Sequence, residues 1–295
     1  MTTLQHEVVA IFGPTASGKS AVARRVADEL GTDVVSADAL QVYRGLPILT
    51  NQAAEPTALV GIRELADSMS VGEYAELAHE SIDDLVERHG AAVVAGGTGL
   101  YFRAALGELD IPPAVPASER SRTEALYDAD PDGAYALLAE RDAAAARAVH
   151  VNDRRRVVRA LELAAAGSTL VPPADRLWSQ ATRRPTLIVG LEVSPEEIDR
   201  RIAARTDEMI RRGVADEVRS AVRSPISHTA EKALGLRELA TLPLDEAREV
   251  IVARTCRYAA YQRKWMRRIP GIVLVDAERP VDQIANDVLD LARGR

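Results

Sequence analysis

The sequence predicts an α/β fold in which a parallel sheet carries helices on both faces. Short apolar runs, typical of buried strands, alternate with segments whose apolar residues recur every three or four positions, as on one face of a helix. The first pair is a predicted strand over residues 7–12 followed by a predicted helix over 21–30. Strands that alternate with helices are typical of parallel sheets, because the crossover helix returns the chain to the same edge.

Two further strands and a helix continue the alternation. Residues 33–35 and 91–95 are short apolar runs that we predict to be strands. A helix is predicted between them over 70–88, because Ser70 with Glu73 three residues later is typical of a capping box. Ligands of parallel sheets bind at the carboxyl ends of the strands. We therefore expect the segments that follow these strands to lie along one edge of the sheet.

A helical insertion interrupts this pattern. Residues 118–184 carry helical signals between proline-containing breaks, and the alternation resumes with a predicted strand over 186–193. A last strand is predicted over 272–276. We expect an α/β core formed by residues 1–117 and 185–295, with residues 118–184 inserted as a helical domain. The breaks include three prolines, Pro113, Pro172 and Pro173.

Composition excludes several classes of protein. The chain has 295 residues, of which 47% are apolar, enough for a sizeable core. Its single cysteine, Cys256, cannot form an intramolecular disulfide, which fits the reducing cytoplasm. No apolar run is long enough for a membrane span, and no Cys/His spacing indicates zinc. The net charge of −7 argues mildly against a nucleic acid partner, although local basic patches decide such binding.

A phosphate-binding loop follows the first predicted strand. The segment GPTASGKS matches the pattern G-x-x-x-x-G-K-[ST] between a strand and a helix, which predicts a P-loop NTPase-like core. Its backbone N–H groups and the helix N-terminus attract phosphate, Lys19 adds a positive charge, and the Ser20 hydroxyl can bind Mg²⁺. The expected diphosphate-binding residues are Gly13, Pro14, Thr15, Ala16, Ser17, Gly18, Lys19 and Ser20.

The carboxylate that completes an ordinary P-loop NTPase is missing from its expected place. Such enzymes hold Mg²⁺ with an acidic residue at the end of a strand, whereas the predicted strand over 91–95 ends in Gly96-Gly97. Asp276 ends the last predicted strand, which we interpret as an ordinary final strand. Asp38 follows the second strand, and it could bind Mg²⁺, accept a proton or simply cap a turn. The pattern argues against plain ATP hydrolysis.

Two basic clusters suggest RNA as a partner. One lies in a predicted helix of the insertion, and the other lies near the C-terminus with aromatic residues between its cations. Basic side chains neutralise phosphates, and aromatic rings stack on unpaired bases. A solvated helix face is the alternative for each cluster alone. Their members are Arg154, Arg155, Arg156 and Arg159 in the first, and Arg254, Arg257, Tyr258, Tyr261, Arg263, Lys264, Trp265, Arg267 and Arg268 in the second.

Five segments, in order, resemble the tRNA dimethylallyltransferase family. They are GPTASGKS, SADALQVYRG, GGTGLY, NDRRRVVRALE and YQRKW, and they extend over nearly the whole chain. Members of this family transfer a dimethylallyl group from dimethylallyl diphosphate to the exocyclic amine of the adenosine 3′-adjacent to the anticodon, and they use Mg²⁺. The resemblance implies the same reaction here, with the tRNA anticodon stem-loop as partner. We expect a cytoplasmic monomer.

The resemblance also implies roles for individual residues. Thr15 would contact the diphosphate directly, Arg205 would clamp it, and Asp38 would be the general base; these three are the expected catalytic residues. Ser20 would bind the metal. The residues expected to face tRNA are Asp38, Ala39, Leu40, Gln41, Thr98, Arg156, Arg159, Lys232, Arg237, Gln262, Trp265 and Arg267.

The chain departs from the family pattern in places. The usual segment D-I-G-T-A-K-P is replaced by PILTNQA, which puts Leu49 at the glycine and Gln52 at the lysine. The basic pair before the glutamine is Ala260-Tyr261. We expect these changes to alter RNA affinity more than the chemistry at the P-loop.

The sequence fits three other functions less well. An adenylate-type prenyltransferase would use a free nucleotide, which requires neither the insertion nor the basic segment over 263–268. A small-molecule kinase would require the missing strand-end carboxylate. An RNA-binding P-loop protein without catalysis would be expected to lack Lys19, Asp38 or Arg205, and all three are present.

Overall fold

The structure is a computed structural model that describes residues 5–53, 55–112, 115–171 and 176–294. The chain forms two compact units, of which the larger comprises Met1–Glu108 and Leu177–Arg295. The smaller unit spans Leu109–Arg176, so both of its boundaries precede the 118–184 expected from the sequence. The described residues do not include three prolines that the sequence suggested as chain breaks, Pro113, Pro172 and Pro173.

A buried arginine explains where the larger unit resumes. Arg103 is fully buried, and its guanidinium donates hydrogen bonds to the carbonyls of Leu177 at 2.9 Å and Ser179 at 2.7 Å. These bonds tie the returning chain to the larger unit several residues before the predicted strand. In the smaller unit, Arg176 forms an ion pair with Asp110 at 3.4 Å, which joins its two ends.

Five parallel strands form the sheet in the order β2-β3-β1-β4-β5. This arrangement confirms the predicted α/β fold, and each strand agrees with its predicted bounds to within one residue. The central strand β1 pairs with β3 on one side and with β4 on the other. The strands are β1 Val8–Phe12, β2 Val34–Ser36, β3 Ala92–Gly96, β4 Thr186–Glu192 and β5 Val273–Asp276.

The described residues of the larger unit form eight α-helices. They are α1 Lys19–Leu30, α2 Val71–His89, α3 Gly99–Leu106, α8 Pro195–Arg211, α9 Val214–Ala221, α10 Leu236–Thr241, α11 Leu244–Met266 and α12 Val281–Ala292. The predicted capping box is present, since Ser70 and Glu73 exchange hydrogen bonds at the start of α2. Ser194 caps α8 by accepting from the Glu197 backbone N–H.

Alternation along the strands places helices on both faces of the sheet. Val9 and Ile11 of β1 belong to an apolar cluster with residues of α1, α8 and α12. Phe12 points the other way, because successive strand side chains alternate between faces, and its ring packs edge-on against Phe102 of α3 at 5.1 Å. A second cluster joins α9, α10 and α11 to Leu46 and Leu49.

The described residues of the smaller unit form four α-helices around a core of their own. Asp130 caps α5 and Asp153 caps α7, as the predicted starts near these positions require. Buried Leu138 and Leu161 belong to its apolar cluster. The helices are α4 Ala117–Ala129, α5 Pro131–Arg141, α6 Ala143–Ala148 and α7 Arg154–Ala165.

No helix within the described ranges could span a membrane. Each of these helices is too short or too polar to cross a bilayer.

Candidate active site

The phosphate-binding loop connects β1 to α1 and is held from two sides. The Gly13 backbone N–H donates to the Gly96 carbonyl at 3.3 Å, which ties the loop to the end of β3. The Thr15 backbone N–H donates to Gln262 Oε1 at 2.8 Å. Gly18 has φ 87°, a conformation that glycine adopts without a Cβ clash, and it turns the chain into α1. The loop is thus already shaped to surround a phosphate group.

Lys19 and Arg205 bring two cations to this loop. Lys19 Nζ donates to the Pro14 carbonyl at 3.3 Å, and Arg205 Nη1 donates to Thr15 Oγ1 at 2.9 Å. Burial lowers the pKa of Lys19 to about 8, against an opposing effect of the Asp38 carboxylate and with a further lowering by Arg205. Burial also lowers the pKa of Arg205. Both groups are partly desolvated, which strengthens their attraction for an anion.

Asp38 lies at the carboxyl end of β2, beside the same loop. Its Oδ1 accepts from the Leu40 backbone N–H at 2.9 Å, which sets the direction of the carboxylate. The next residue, Ala39, donates its backbone N–H to Thr98 Oγ1 at 3.3 Å. The Asp38 charge opposes the lowering of the pKa of both Lys19 and Arg205 by burial, so the three groups lie within electrostatic reach of one another.

These groups line one cavity of about 110 Å³ in the larger unit. Its polar end contains Thr15, Lys19, Ser20, Asp38 and Arg205. Its other end is apolar. Leu40, Leu49, Met209, Ala233 and Ile251 form this end and pack in one apolar cluster, whereas Ile202 lies on the other side of Arg205 along α8. An anionic head group attached to a small apolar tail would satisfy both ends.

Comparison with known proteins identifies the family. The family model described as IPP transferase matches residues 41–269. The chain belongs to the IPP transferase family. A tRNA dimethylallyltransferase of Kineococcus radiotolerans is 37% identical over 306 residues and covers 97% of this chain and 94% of its own. That alignment extends N-terminally of the family model and includes the phosphate-binding loop.

Solved structures agree with this assignment. The full-length tRNA isopentenylpyrophosphate transferase of Bacillus halodurans has a TM-score of 0.70 and 27% identity, covering 98% of this chain and 96% of its own. A eukaryotic dimethylallyltransferase acting on tRNA has a TM-score of 0.79, covering 98% of this chain and 80% of its own. It is only 23% identical, so this second likeness shows the fold.

In this IPP transferase, Gln262 lies in the interior and not on the surface. It was expected to face tRNA, but it is 2% exposed. Its Oε1 accepts from the Thr15 N–H at 2.8 Å, and its Nε2 donates to the Gly97 carbonyl at 2.9 Å. Both polar atoms are therefore used to join the phosphate-binding loop to the glycine turn after β3. We correct the expectation: Gln262 supports the loop from within.

The glycines after β3 allow this close approach. A Cβ at Gly97 would collide with the Gln262 amide, and a Cβ at Gly99 would collide with the ring of Trp265. Helix α11 therefore packs directly on the GGTG segment. The motif has glycines where an ordinary P-loop NTPase has a carboxylate: contact with α11 requires Gly97 and Gly99, and a Cβ at Gly96 would collide with the Ala37 backbone.

Tyr258 is a cavity residue that the sequence analysis assigned to an RNA-stacking surface. It lines the cavity with its phenol partly buried, and burial raises its pKa to about 12, with the Asp38 charge acting in the same direction. The spacing of four residues from Gln262 could have indicated this position, because residues i and i+4 share a helix face.

Glu217 was also missed by the sequence analysis. Its carboxylate accepts the Ile48 N–H at 2.7 Å and the Leu49 N–H at 2.8 Å. This pair of bonds holds the turn that supplies Leu49 and Thr50 to the cavity wall. No local pattern marks Glu217, since its partners lie far away in the chain.

Gln41 and Leu40 line the cavity, as expected for a pocket wall. Gln41 Nε2 donates to the carbonyls of Thr50 at 3.2 Å and Asn51 at 3.0 Å, while its Oε1 accepts from Ser36 Oγ at 2.8 Å. Its side chain therefore secures the same turn that Glu217 holds.

The basic residues of the smaller unit differ in their exposure and in their ion pairs with acidic side chains. Arg156 is 59% exposed and lies 3.8 Å from Asp153. Arg159 is 26% exposed and forms an ion pair at 3.0 Å with Glu162, which is 1% exposed. Arg154 forms an ion pair with Asp128 at 2.6 Å. Within the smaller unit, the predicted RNA-facing cluster thus divides into a more exposed and a more internal part.

The C-terminal cluster likewise mixes surface and structural roles. Arg254 forms an ion pair with the buried Glu238, and Arg267 and Arg268 are exposed. Lys232 and Arg237, which lie outside this cluster and are also expected to face tRNA, are exposed as well. An aromatic stack includes Trp265 in the last turn of α11. Trp265 packs against Trp178 with ring centroids 4.8 Å apart, and the Arg268 guanidinium lies 4.0 Å from the centre of the Trp178 ring.

Proposed function

We propose that this protein transfers a dimethylallyl group from dimethylallyl diphosphate to the exocyclic amine of the adenosine 3′-adjacent to the anticodon in tRNA, releasing diphosphate. One observation carries the proposal: a phosphate-binding loop, a second cation, a carboxylate and an apolar wall line a single cavity. The tRNA dimethylallyltransferase named above, alike over nearly its whole length, supports the acceptor.

The loop and its cations would stabilise the leaving diphosphate. Backbone N–H groups of residues 13–20, Lys19 and Arg205 would surround the phosphate oxygens. Arg205 is joined to the loop through its hydrogen bond to the Thr15 hydroxyl. Negative charge accumulates on the diphosphate as the bond from the first allylic carbon to oxygen breaks. Donors that are preorganised around such charge lower the barrier without having to reorganise.

Asp38 would act on the acceptor. The amine nitrogen attacks the allylic carbon, the carbon–oxygen bond breaks with its electron pair leaving on the diphosphate, and the amine proton passes to the carboxylate. The bond from the Leu40 N–H to Asp38 Oδ1 at 2.9 Å would hold that carboxylate in position. The adenine must leave its stack to reach the cavity, so we infer base flipping. Ala39, Leu40, Gln41 and Thr98 would surround the base.

The donor set fits Mg²⁺ bound together with the donor. The described ranges contain no group of three or more His, Cys, Asp or Glu side chains arranged for a metal ion. Mg²⁺ usually binds through one or two protein ligands together with substrate phosphates, and Ser20 with Asp38 at the polar end of the cavity would suffice for that. When bound, Mg²⁺ would neutralise charge on the diphosphate.

The tRNA would lie over the exposed cations and the aromatic stack. Arg156 in the smaller unit, with Lys232, Arg237, Trp265 and Arg267 in the larger unit, are our candidates for contact with the anticodon stem-loop. Arg159 would act mainly by supporting the helix that carries Arg156. A tRNA substrate and a lone cysteine fit the cytoplasm. We retain the expectation of a monomer, which size-exclusion chromatography would test.

A kinase or ATPase is less well supported. β3 ends at Gly96, and Asp276 ends β5 at the edge of the sheet, two strands away from β1. There its Oδ1 accepts from the Glu278 backbone N–H at 3.0 Å.

Labelled donor would test the proposal. The full-length protein is incubated with dimethylallyl diphosphate carrying a label in the prenyl group, and with unmodified tRNA, AMP or no acceptor. We expect label on the adenosine next to the anticodon. Label on AMP alone would favour the adenylate-type enzyme, and ATP hydrolysis without any prenyl transfer would reject a prenyltransferase.

A further inference from the structure

The apolar end of the cavity is lined by side chains from three different elements. Leu49 belongs to the turn after β2, Met209 to α8 and Ile251 to α11. All three are buried, and they pack in one apolar cluster. A wall assembled from a core cluster resists displacement, because moving it would disturb close packing.

Helix α8 gives a length scale for the cavity. Arg205 and Met209 are four residues apart, so they share a face of the helix and are separated by about 6 Å along its axis. Arg205 contacts the phosphate-binding loop through Thr15 at 2.9 Å. Met209 therefore lies one helical turn beyond the group that would bind the diphosphate. The space between them matches a short chain of carbons.

Leu49 is held firmly in this wall. The Glu217 carboxylate accepts the N–H groups of Ile48 at 2.7 Å and of Leu49 itself at 2.8 Å. On the other side Leu49 faces Gly235, where a Cβ would come within 2.9 Å of Leu49 Cδ1. The leucine thus fills the space up to the backbone of the neighbouring segment.

We propose that Leu49, with Met209 and Ile251, limits the prenyl donor to one isoprene unit. This inference rests on the proposed function. Leu49 stands where the family has a glycine, a change that we expect to alter RNA affinity more than the chemistry at the P-loop, and it lines the cavity in which we place the donor. A ten-carbon donor would have to place five more carbons where these side chains stand.

Competition between donors of two lengths tests this inference. The wild-type full-length protein is assayed with unmodified tRNA and either dimethylallyl or geranyl diphosphate, and the ratio of kcat/KM values is compared with that of Leu49→Ala. One methylene of excess size typically changes selectivity by about 10–200-fold. We expect the wild type to favour the five-carbon donor by more than about 100-fold, and Leu49→Ala to reduce that ratio at least about 10-fold.

A matched leucine serves as control. Leu239 is buried in the same apolar cluster but does not line the cavity, so Leu239→Ala is expected to keep the wild-type donor ratio. An unchanged ratio in a folded, active Leu49→Ala protein overturns the inference, and so does efficient geranyl transfer by the wild type. An effect on the KM for tRNA alone would also overturn it, since the turn would then face the acceptor.

A variant with a larger side chain in the cavity provides a second test if Leu49→Ala does not fold. Ala233 lines the apolar end, so Ala233→Met should shorten the space. We expect a higher KM for dimethylallyl diphosphate with unchanged inhibition by inorganic diphosphate; equal KM values would overturn the inference. If the wild type transfers neither the dimethylallyl nor the geranyl group to tRNA, the proposed function itself fails. A changed donor ratio in Leu49→Ala bears on the cavity wall alone, so the two failures are distinguishable.

Discussion

The side-chain amide of Gln262 accepts a hydrogen bond from the Thr15 backbone N–H at 2.8 Å, across 247 residues of sequence. The same amide donates to the Gly97 carbonyl at 2.9 Å. One residue of α11 therefore connects the phosphate-binding loop to the turn after β3, and the loop's shape depends on a helix near the other end of the chain.

Removal of this amide should loosen the loop. In Gln262→Ala the Thr15 N–H and the Gly97 carbonyl lose their partner, and a buried polar group without a partner costs about 1–3 kcal/mol. We expect that loss in the free energy of unfolding, measured by urea denaturation, together with weaker binding of dimethylallyl diphosphate. The exposed Gln283→Ala is the control and should change neither quantity. Wild-type stability in Gln262→Ala would show that the bridge is dispensable.

Donor binding should weaken as the pH rises above 8. The pKa of Lys19 is lowered to about 8, so the protonated form that attracts the diphosphate is lost above this pH. A bound anion favours protonated Lys19, so binding should take up protons there, and the dissociation constant should rise by up to about tenfold per pH unit. Calorimetry in buffers of different ionisation enthalpy would measure the uptake.

The variant Lys19→Arg distinguishes a pH dependence caused by Lys19 from one caused by titration of the donor's diphosphate. Arginine stays protonated throughout this range, so the pH dependence should largely disappear. A pH dependence that persists in Lys19→Arg would assign the titration to another group. Without donor the sign is opposite: the unfolded chain, with lysine near 10.5, binds more protons than the folded one, so this residue's contribution to stability rises between pH 8 and 10.5.

Asp38→Asn should slow the chemical step more than any binding step. The substitution keeps the shape but removes the basicity that the amine proton requires, and general-base catalysis is typically worth about 10²–10⁴-fold. Single-turnover prenyl transfer at saturating tRNA and donor would measure the loss. Asp33→Asn is the matched control, because Asp33 precedes β2 whereas Asp38 follows it.

A second outcome distinguishes the metal-binding role of Asp38. If its main task were to hold Mg²⁺, activity of Asp38→Asn would recover as the Mg²⁺ concentration rises, and donor binding would be weakened at low Mg²⁺. Near-wild-type transfer at ordinary Mg²⁺ would mean that Asp38 only caps its turn, and another base would then be required.

Arg156 and Arg159 should respond differently to alanine substitution. Arg156 is 59% exposed, so Arg156→Ala should weaken tRNA binding and lower the slope of log affinity against log salt concentration by about one. Arg159 pairs with the buried Glu162, so Arg159→Ala should reduce the free energy of unfolding by about 1–3 kcal/mol. Filter binding over a salt series and thermal unfolding measure the two effects. If Arg156→Ala instead lowered the free energy of unfolding and left tRNA binding unchanged, Arg156 would have a structural role.

Local signals were sufficient for the elements and for the centre of the site. Strand and helix bounds, the capping box at Ser70 and Glu73, and the loop over 13–20 each depend on residues within a few positions of one another. The proximity of Asp38 to the loop also followed, because parallel strands present their carboxyl ends at one edge.

Distant contacts decided the rest. The sequence by itself determined the α/β fold, the phosphate-binding loop and the family resemblance, because strand, helix and loop signals depend on neighbouring residues. Only the tertiary structure decided that Gln262 supports the loop, that Tyr258 lines the cavity and that Glu217 holds Leu49 across 168 residues. An amide, phenol or carboxylate of this kind leaves no periodic pattern in the sequence, since its partner is determined by packing between elements that come together only on folding.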